Sequence, residues 1–381
     1  MADGSVQGLS QERFAAVREG FEANLESGAD VGASFCATLE GEVVVDLWGG
    51  FADPGKTRPW ARDTIVNVYS TTKTMTALTA LLVADRGGID FDAPVARYWP
   101  EFAANGKADI KVSHLMSHSA GLSGWREKVT KQDLYDWEKV TALLAAQAPL
   151  WEPGTAPGYH AITQGYLVGE VVRRVTGKSL GTVFREEIAE PLGADFWIGL
   201  PASEDGRVAE LIPPPPGQGA GDGPGQTEIQ DLTFNNPGVD VAETRTRAWR
   251  GAEIPAAGGT GNARSVAQVY TILANGGVAN GRRFLSEAGC RKALEVQIEG
   301  TDLVLGGPAK FGMGFGLPGA AFALPNPNTI YWGGYGGSLI LIDMDARTTI
   351  AYAMNKMAGT TTGDMRAFGL AMAMWTALGV I

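Results

Sequence analysis

Patterns typical of β-strands lie near both ends of this chain, and they constrain its fold more than any other feature. Near the N-terminus, residues 31–39 and 42–47 are β-rich runs that meet at a Glu-Gly pair typical of a hairpin turn. Near the C-terminus, residues 337–342 and 348–354 flank a polar turn, and an apolar helix follows. Strands and helices bury their apolar faces against each other. The sequence therefore predicts one α/β layer built from both ends of the chain.

The chain between these runs has mostly helical periodicity. Apolar residues on one face predict a helix over 70–86, which a Gly-Gly pair ends. Another helix is predicted over 162–176, with Gly177 directly after its last turn. Further helical stretches are expected at about 10–25, 134–147, 180–189 and 367–381.

These patterns predict an α/β fold in two parts. Residues 1–86 and 255–381 are expected to form a composite α/β domain, and residues 87–254 a mostly helical inserted domain. Four consecutive prolines open a Pro/Gly-rich tract near 213–226, which is typical of a loop. A plain linker is favoured there over a mobile edge of the functional site.

Charge and hydropathy exclude several classes of function. The chain has 31 basic and 42 acidic residues and a formal net charge of −11, which argues against binding to nucleic acid or to an anionic membrane. The N-terminal residues lack the basic and apolar regions of a secretion signal. The longest apolar run has fifteen residues, fewer than the ~20 that span a bilayer. We therefore expect a cytoplasmic protein, of unknown oligomeric state, that binds neither nucleic acid nor membrane.

Two motifs resemble functional sites but lie in the wrong context. Residues 177–181 match the G-x-S-x-G motif of α/β-hydrolases, but a helix precedes Ser179 and every histidine lies upstream of it. Ser179 is therefore predicted to cap a helix. His114 and His118 have the spacing of zinc ligands, but Leu115 stands where a catalytic Glu is required and no third ligand is evident. We expect structural histidines and no metal.

Residues 70–73, Ser-Thr-Thr-Lys, have the form S-x-x-K at the start of a predicted helix. Residues three apart share a helix face, so the Ser70 hydroxyl and the Lys73 amine can meet. The free N–H groups of a first helical turn favour an alkoxide, and burial lowers the pKa of a lysine toward that of a useful base. The pattern points to a serine nucleophile. On this motif alone, a capping serine beside a solvated lysine is an equally good interpretation.

Two later segments favour the nucleophile. Tyr159 precedes a predicted helix, where its phenol would act as a general base or relay a proton to a leaving group, although a core aromatic is the alternative. Residues 332–335, Trp-Gly-Gly-Tyr, run into a predicted strand, and glycines at a strand edge mark close approach by a ligand or backbone. A backbone N–H there, with that of Ser70, would form an oxyanion hole, in which either donor contributes about 10²–10³ in rate.

These segments, in this order, resemble the serine β-lactamase and penicillin-binding-protein superfamily, specifically its class C-like esterase branch, the family VIII carboxylesterases. The resemblance runs through most of the chain, and its longest block is VYSTTKTMTALTALLVADRGGIDFDAPVARYWPEF around Ser70. It implies an antiparallel sheet flanked by N- and C-terminal helices, with a mostly helical inserted domain. It also implies that Ser70 is the nucleophile, that Lys73 and Tyr159 share the general-base and proton-relay work, and that the N–H groups of Ser70 and Tyr335 form the oxyanion hole.

Two positions depart from the pattern of the lactamases. Their second motif is Tyr-x-Asn, and Ala161 occupies the position of the Asn that contacts the amide side chain of the antibiotic. Their third motif is Lys-Thr-Gly, whose cation helps to hold the substrate carboxylate, and here it is Trp332-Gly333-Gly334. Both changes remove polar groups that recognise a β-lactam. Trp332, Gly333 and Gly334 are therefore expected to line a more apolar substrate pocket.

The resemblance and the departures together predict a serine carboxylesterase that hydrolyses short-chain esters through an acyl-enzyme on Ser70, with no cofactor. A small-molecule ester is the expected partner. A β-lactamase or D,D-peptidase and an acyltransferase of the same fold are the alternatives. A non-enzymatic binding protein is disfavoured because Ser70, Lys73 and Tyr159 occur together.

Overall fold

The computed structural model describes residues 4–219, 226–320 and 322–381. The strands are β1 (Gln7–Ser10), β2 (Gly32–Leu39), β3 (Glu42–Gly50), β4 (Val66–Asn67), β5 (Phe196–Trp197), β6 (Thr260–Gly261), β7 (Val278–Ala279), β8 (Arg282–Arg283), β9 (Ile298–Thr301), β10 (Pro308–Phe311), β11 (Thr329–Gly333), β12 (Leu339–Asp343) and β13 (Thr348–Met354). The α-helices are α1 (Ala15–Glu26), α2 (Thr72–Asp85), α3 (Val112–Met116), α4 (Trp137–Ala146), α5 (Thr163–Thr176), α6 (Leu180–Phe184), α7 (Glu190–Leu192), α8 (Glu228–Phe234), α9 (Arg247–Gly251), α10 (Ala263–Ala274), α11 (Glu287–Lys292) and α12 (Met365–Leu378). Of the predicted Pro/Gly-rich loop, residues 213–219 form neither helix nor strand, and residues 220–225 lie outside the described residues.

A six-stranded antiparallel sheet joins the two ends of the chain, with the strand order β1-β3-β2-β13-β12-β11. The predicted N-terminal hairpin is present, and β2 pairs with β3 from Gly32 opposite Gly50 to Leu39 opposite Glu42. Strand β13 pairs with the other edge of β2, with Ala351 opposite Cys36. The prediction of one layer built from both ends of the chain is confirmed.

Helices cover the middle strands of this sheet, which explains why those strands are apolar on both faces. Every residue of β13 and all but the last residue of β2 are buried. Helix α10 packs against both strands, and α1 packs against α12 and β3. Between the sheet and α10, the Thr38 hydroxyl donates to Thr349 Oγ1 (2.6 Å), which in turn donates to the Ala267 carbonyl (3.1 Å). Both buried threonine hydroxyls are therefore paired, as burial requires.

Helix α2 connects the sheet to the mostly helical part of the chain. It is buried along almost its whole length and packs against α5, α6 and α11. One continuous apolar core includes Phe35 of β2, Leu78 of α2 and Val171 of α5. The predicted domain boundaries at residues 86 and 255 stay a prediction.

The N-terminal segment differs from the helix expected over about 10–25. Residues 7–10 form the edge strand β1, with Gln7 opposite Trp48 and Ser10 opposite Val45, and α1 begins only at Ala15. Strand β1 forms because β3 offers a free edge, and its partner residues lie too far along the chain for a local pattern to reveal. Among the described residues, no helix is both long and apolar enough to cross a bilayer.

Candidate active site

Ser70 lies in a 3₁₀ turn, Tyr69–Thr71, directly before α2. Tyr69 has a φ of +43°, which is uncommon for a residue with a side chain and typical of a strained functional turn. The Thr72 hydroxyl fixes the turn, because it donates to the Tyr69 carbonyl (2.5 Å) and accepts from the Gly259 N–H (2.8 Å). Ser70 is thus held at the beginning of the helix, where the sequence places it.

The structure brings Ser70, Lys73 and Tyr159 into contact. Ser70 Oγ lies 2.9 Å from Lys73 Nζ and is hydrogen-bonded to the Tyr159 hydroxyl. Lys73 Nζ also donates to the carbonyls of Ala161 (2.7 Å) and Ala256 (2.9 Å). The Lys73 side chain is fully buried, and Ser70 and Tyr159 are 7% and 6% exposed. Position 161 therefore contributes a backbone carbonyl to the site, at the place where the lactamases have an Asn side chain.

Burial shifts the pKa values of Lys73 and Tyr159, the two groups that contact Ser70. It lowers the pKa of Lys73 well below its usual value, because a charge is poorly solvated away from water. A neutral amine has two N–H groups and one lone pair. In that neutral form, the two carbonyls would accept the N–H groups and leave the lone pair to Ser70 Oγ. Burial raises the pKa of Tyr159 despite the opposing hydrogen bond with Ser70, so its phenol stays protonated. A proton acceptor and a proton donor thus contact one hydroxyl.

Asp302 anchors the backbone of Tyr159, and sequence reasoning missed it. Its Oδ1 accepts from the N–H groups of Tyr159 (3.1 Å), Val304 (2.8 Å) and Leu305 (2.8 Å). The side chain is 1% exposed, and burial raises its pKa. This carboxyl links the loop that carries Tyr159 to the loop that contains Val304 and Leu305. No local pattern marks the contact with Tyr159, since that residue lies 143 positions away in the sequence.

His118 lies beside Tyr159. In the sequence, its spacing from His114 suggests only a metal ligand, which the context disfavours. Its ring stacks on Trp332, with centroids 5.2 Å apart and planes at 17°, and lies 5.3 Å from the ring of Tyr159. Its Nδ1 accepts from the N–H of His160 (3.1 Å). His118 therefore packs the tyrosine against the predicted third motif.

Residues 334–335 lie against the turn that holds Ser70. A Cβ on Gly334 would stand 2.1 Å from the Val68 carbonyl oxygen, so this position requires glycine. The rings of Tyr69 and Tyr335 make an edge contact at 5.4 Å. Gly334, directly before Tyr335, thus lies against the segment that leads into the turn of Ser70. The role of the two N–H groups stays a prediction.

An apolar pocket of about 200 Å³ opens beside Tyr159. Trp332 lines it, as expected, whereas Gly333 and Gly334 do not belong to its wall. Gly333 instead packs on Thr362, where a Cβ would come 2.5 Å from the backbone. Sequence reasoning missed the other residues of the wall, which come from β10, β11, the loops around them and the loop before α12: Leu305, Pro308, Ala309, Phe311, Phe322, Tyr331, Thr361 and Thr362.

The rejected hydrolase motif has a structural role. Ser179 is the N-cap of α6, and its Oγ accepts from the Thr182 N–H (3.3 Å). Its hydroxyl donates to Glu253 Oε1 (2.5 Å). The prediction of a helix cap is confirmed.

The other two histidines hold local backbone. His160 Nε2 accepts from the Leu122 N–H (3.1 Å), and His114 Nδ1 accepts from the Lys111 N–H (3.4 Å). Within residues 4–219, 226–320 and 322–381, no three His, Cys, Asp or Glu side chains are grouped so as to hold a metal ion.

Comparisons with known proteins agree with this architecture. The family model described as Beta-lactamase matches residues 17–372. The esterase/beta-lactamase LipL of Mycobacterium tuberculosis is 37% identical over 380 residues, which cover 92% of this chain and 83% of LipL. The crystal structure of a family VIII carboxylesterase has 46% identity and a TM-score of 0.93, covering 98% of this chain and 100% of that one. A penicillin-binding protein homologue from Caulobacter crescentus has 39% identity and a TM-score of 0.91, with the same coverage.

The antiparallel sheet, its flanking helices and the helical part beside it define a β-lactamase-like fold. The family model spans nearly the whole chain, and the relatives cover it almost end to end. The chain belongs to the beta-lactamase family.

Proposed function

We propose that this protein is a serine carboxylesterase that hydrolyses short-chain carboxylic esters through an acyl-enzyme on Ser70. One observation carries the proposal: the buried Ser70 hydroxyl contacts both a lysine amine and a tyrosine phenol whose pKa values burial shifts in opposite directions. The names of the relatives support an ester as substrate, since LipL is described as an esterase/beta-lactamase and the family VIII structure as a carboxylesterase. Short acyl chains are what the resemblance to this branch implies.

Acylation begins when the Ser70 hydroxyl gives its proton to Lys73 Nζ as Oγ attacks the ester carbonyl. The carbonyl oxygen becomes an oxyanion, which the N–H groups of Ser70 and Tyr335 stabilise. The bond between the carbonyl carbon and the alcohol oxygen then breaks. Tyr159 donates its phenolic proton to the leaving oxygen, and the Lys73 ammonium replaces that proton, so the pair ends as it began.

Deacylation repeats these steps with water as the nucleophile. Water gives a proton to the same pair and attacks the carbonyl of the acyl-enzyme. The second oxyanion occupies the same hole, and the bond between the acyl carbon and Ser70 Oγ breaks as the pair returns the proton to that oxygen, which releases the acid and restores the hydroxyl. Asp302 and His118 support this chemistry by positioning Tyr159, through its backbone N–H and through ring contact respectively.

The surroundings of Ser70 favour an ester over a β-lactam. Position 161 offers only a methyl group and a carbonyl that Lys73 occupies. Trp332 replaces the cation that holds the lactam carboxylate in the lactamases, and its ring is stacked on His118. A neutral substrate therefore matches the site better than an anionic one.

The test is hydrolysis of p-nitrophenyl acetate, butyrate and octanoate beside a chromogenic cephalosporin. Wild type should turn over the shorter esters fastest, and Ser70→Ala should abolish the activity. Ser179→Ala is the matched control, because it removes the serine of the other motif and should leave turnover unchanged. Activity that survives in Ser70→Ala but disappears in Ser179→Ala would overturn the assignment.

The same assay separates the alternatives. Cephalosporin turnover that exceeds ester turnover would make the protein a lactamase. Acyl transfer to an added alcohol that outcompetes water would make it an acyltransferase. A cytoplasmic location belongs to this proposal as an expectation from the sequence, and fractionation of the source cells tests it.

A further inference from the structure

The apolar pocket is lined by some of the expected site residues and not by others. Tyr159 and Trp332 form part of its wall, while Ser70 and Tyr335, the expected oxyanion donors, do not. Phe311 and Leu305 also line it, and the ring of Phe311 lies 5.5 Å from that of Trp332. The pocket therefore lies on the side of Tyr159 and Trp332 and does not include the expected oxyanion donors.

That position decides which part of an ester can enter the pocket. In the tetrahedral intermediate, the carbonyl carbon carries Ser70 Oγ, the oxyanion, the acyl substituent and the oxygen of the alcohol. The alcohol oxygen must lie within hydrogen-bond reach of Tyr159, because that phenol protonates it on departure. The carbon skeleton of the alcohol then continues past the phenol into the pocket, and the acyl substituent points elsewhere.

We propose that this pocket is the alcohol subsite and that it takes uncharged alcohol groups containing an apolar ring, such as arylmethyl groups. The proposal rests on the esterase function proposed above. Size agrees with it, since a cavity of about 150 Å³ holds benzene and this one measures about 200 Å³. Five aromatic side chains line the pocket, and aromatic rings pack well on one another. The rings of Phe322 and Tyr331 are already stacked at 4.3 Å.

Charge also selects the occupant. Among the residues that the structure describes, those that line the pocket include no Lys, Arg, Asp or Glu, and their polar side-chain groups belong to threonine, tyrosine and Trp332. An alcohol group that carries a carboxylate would lose its hydration there without gaining a partner. We therefore expect esters of benzyl alcohol to be good substrates and esters of 4-carboxybenzyl alcohol to be poor ones.

Leu305→Trp tests the subsite by filling it from its rim. Leu305 is 43% exposed, so the larger side chain does not have to enter the core. Leu9→Trp is the matched control, because Leu9 is 50% exposed and lies on β1, at the opposite edge of the sheet from β11. The two substrates are benzyl acetate and methyl acetate, whose alcohols have similar acidity, so the comparison reports on binding.

In Leu305→Trp, kcat/KM for benzyl acetate should fall by about tenfold or more relative to methyl acetate, in line with the discrimination that apolar pockets achieve. Benzyl alcohol should inhibit the wild type competitively and the variant much less. The ratio of methyl octanoate to methyl acetate should stay unchanged, and Leu9→Trp should behave as wild type in every assay.

Three results would overturn the inference while leaving the esterase intact. These are an altered preference for acyl length in Leu305→Trp, an equal loss for both acetates, and no loss at all. Failure of the proposed esterase mechanism would give a different result, namely ester turnover that persists in Ser70→Ala.

Discussion

Gly334→Ala should disable catalysis by displacing the backbone of Tyr335 from Ser70. The added Cβ would lie 2.1 Å from the Val68 carbonyl oxygen and 2.3 Å from Ser338 Oγ. Real Cβ atoms essentially never come within 3.0 Å of such neighbours, so the segment must move by about 0.9 Å. A shift of about 1 Å costs on the order of 100-fold in rate, and loss of one oxyanion donor costs about 10²–10³. We expect kcat/KM to fall by about 10²–10³.

The assay is steady-state hydrolysis of p-nitrophenyl acetate, with the melting temperature measured on the same samples. The loss should fall mainly on kcat, because the oxyanion develops only in the transition state. Gly369→Ala is the control: Gly369 lies on α12, and its added Cβ would have no atom within 4 Å. A Gly334→Ala enzyme that keeps a kcat within a few-fold of wild type would refute the assignment of Tyr335 to the hole.

Three further changes probe the proton pair and the second serine motif. Tyr159→Phe removes the hydroxyl that contacts Ser70 and should lower kcat by about 10²–10⁴-fold with little change in melting temperature. Near-wild-type turnover would contradict the role of Tyr159 as proton donor. Because Lys73 accepts a proton only when neutral and burial lowers its pKa, kcat/KM should rise with pH through that lowered value and reach its plateau below the ordinary lysine range; a rise delayed to the ordinary lysine range would contradict a lowered lysine pKa. Ser179→Ala removes the cap of α6 and should lower the free energy of unfolding by about 1 kcal/mol in urea titration; an unchanged midpoint would argue against the cap.

Sequence patterns predict those features that depend on neighbours along the chain. The hairpin of β2 and β3 follows from two β-rich runs with a Glu-Gly pair between them. The contact of Ser70 with Lys73 follows from a spacing that puts both side chains on one face of a helical turn. Tyr159 is predicted as a site residue from its position before α5 and from the resemblance to a family, since no local rule brings it to Ser70.

Features made by distant partners could not be predicted from these patterns. The lowered pKa of Lys73 depends on full burial, and its amine donates to carbonyls at Ala161 and Ala256, which lie 88 and 183 residues away. Asp302 reaches Tyr159 across 143 residues. The walls of the pocket meet only because Gly316 bridges β10 and β11, pairing with both Phe311 and Tyr331. Each depends on tertiary packing, which overrides local pattern.

The claim that Ser70 forms the covalent bond is tested most directly by labelling with a fluorophosphonate, which forms a stable adduct on activated serines. Intact mass and peptide mapping would be measured for wild type, Ser70→Ala and Ser179→Ala. We predict one adduct on the peptide that contains Ser70, absent in Ser70→Ala and present in Ser179→Ala. An adduct on another residue of the wild type, or undiminished labelling of Ser70→Ala, would contradict the mechanism.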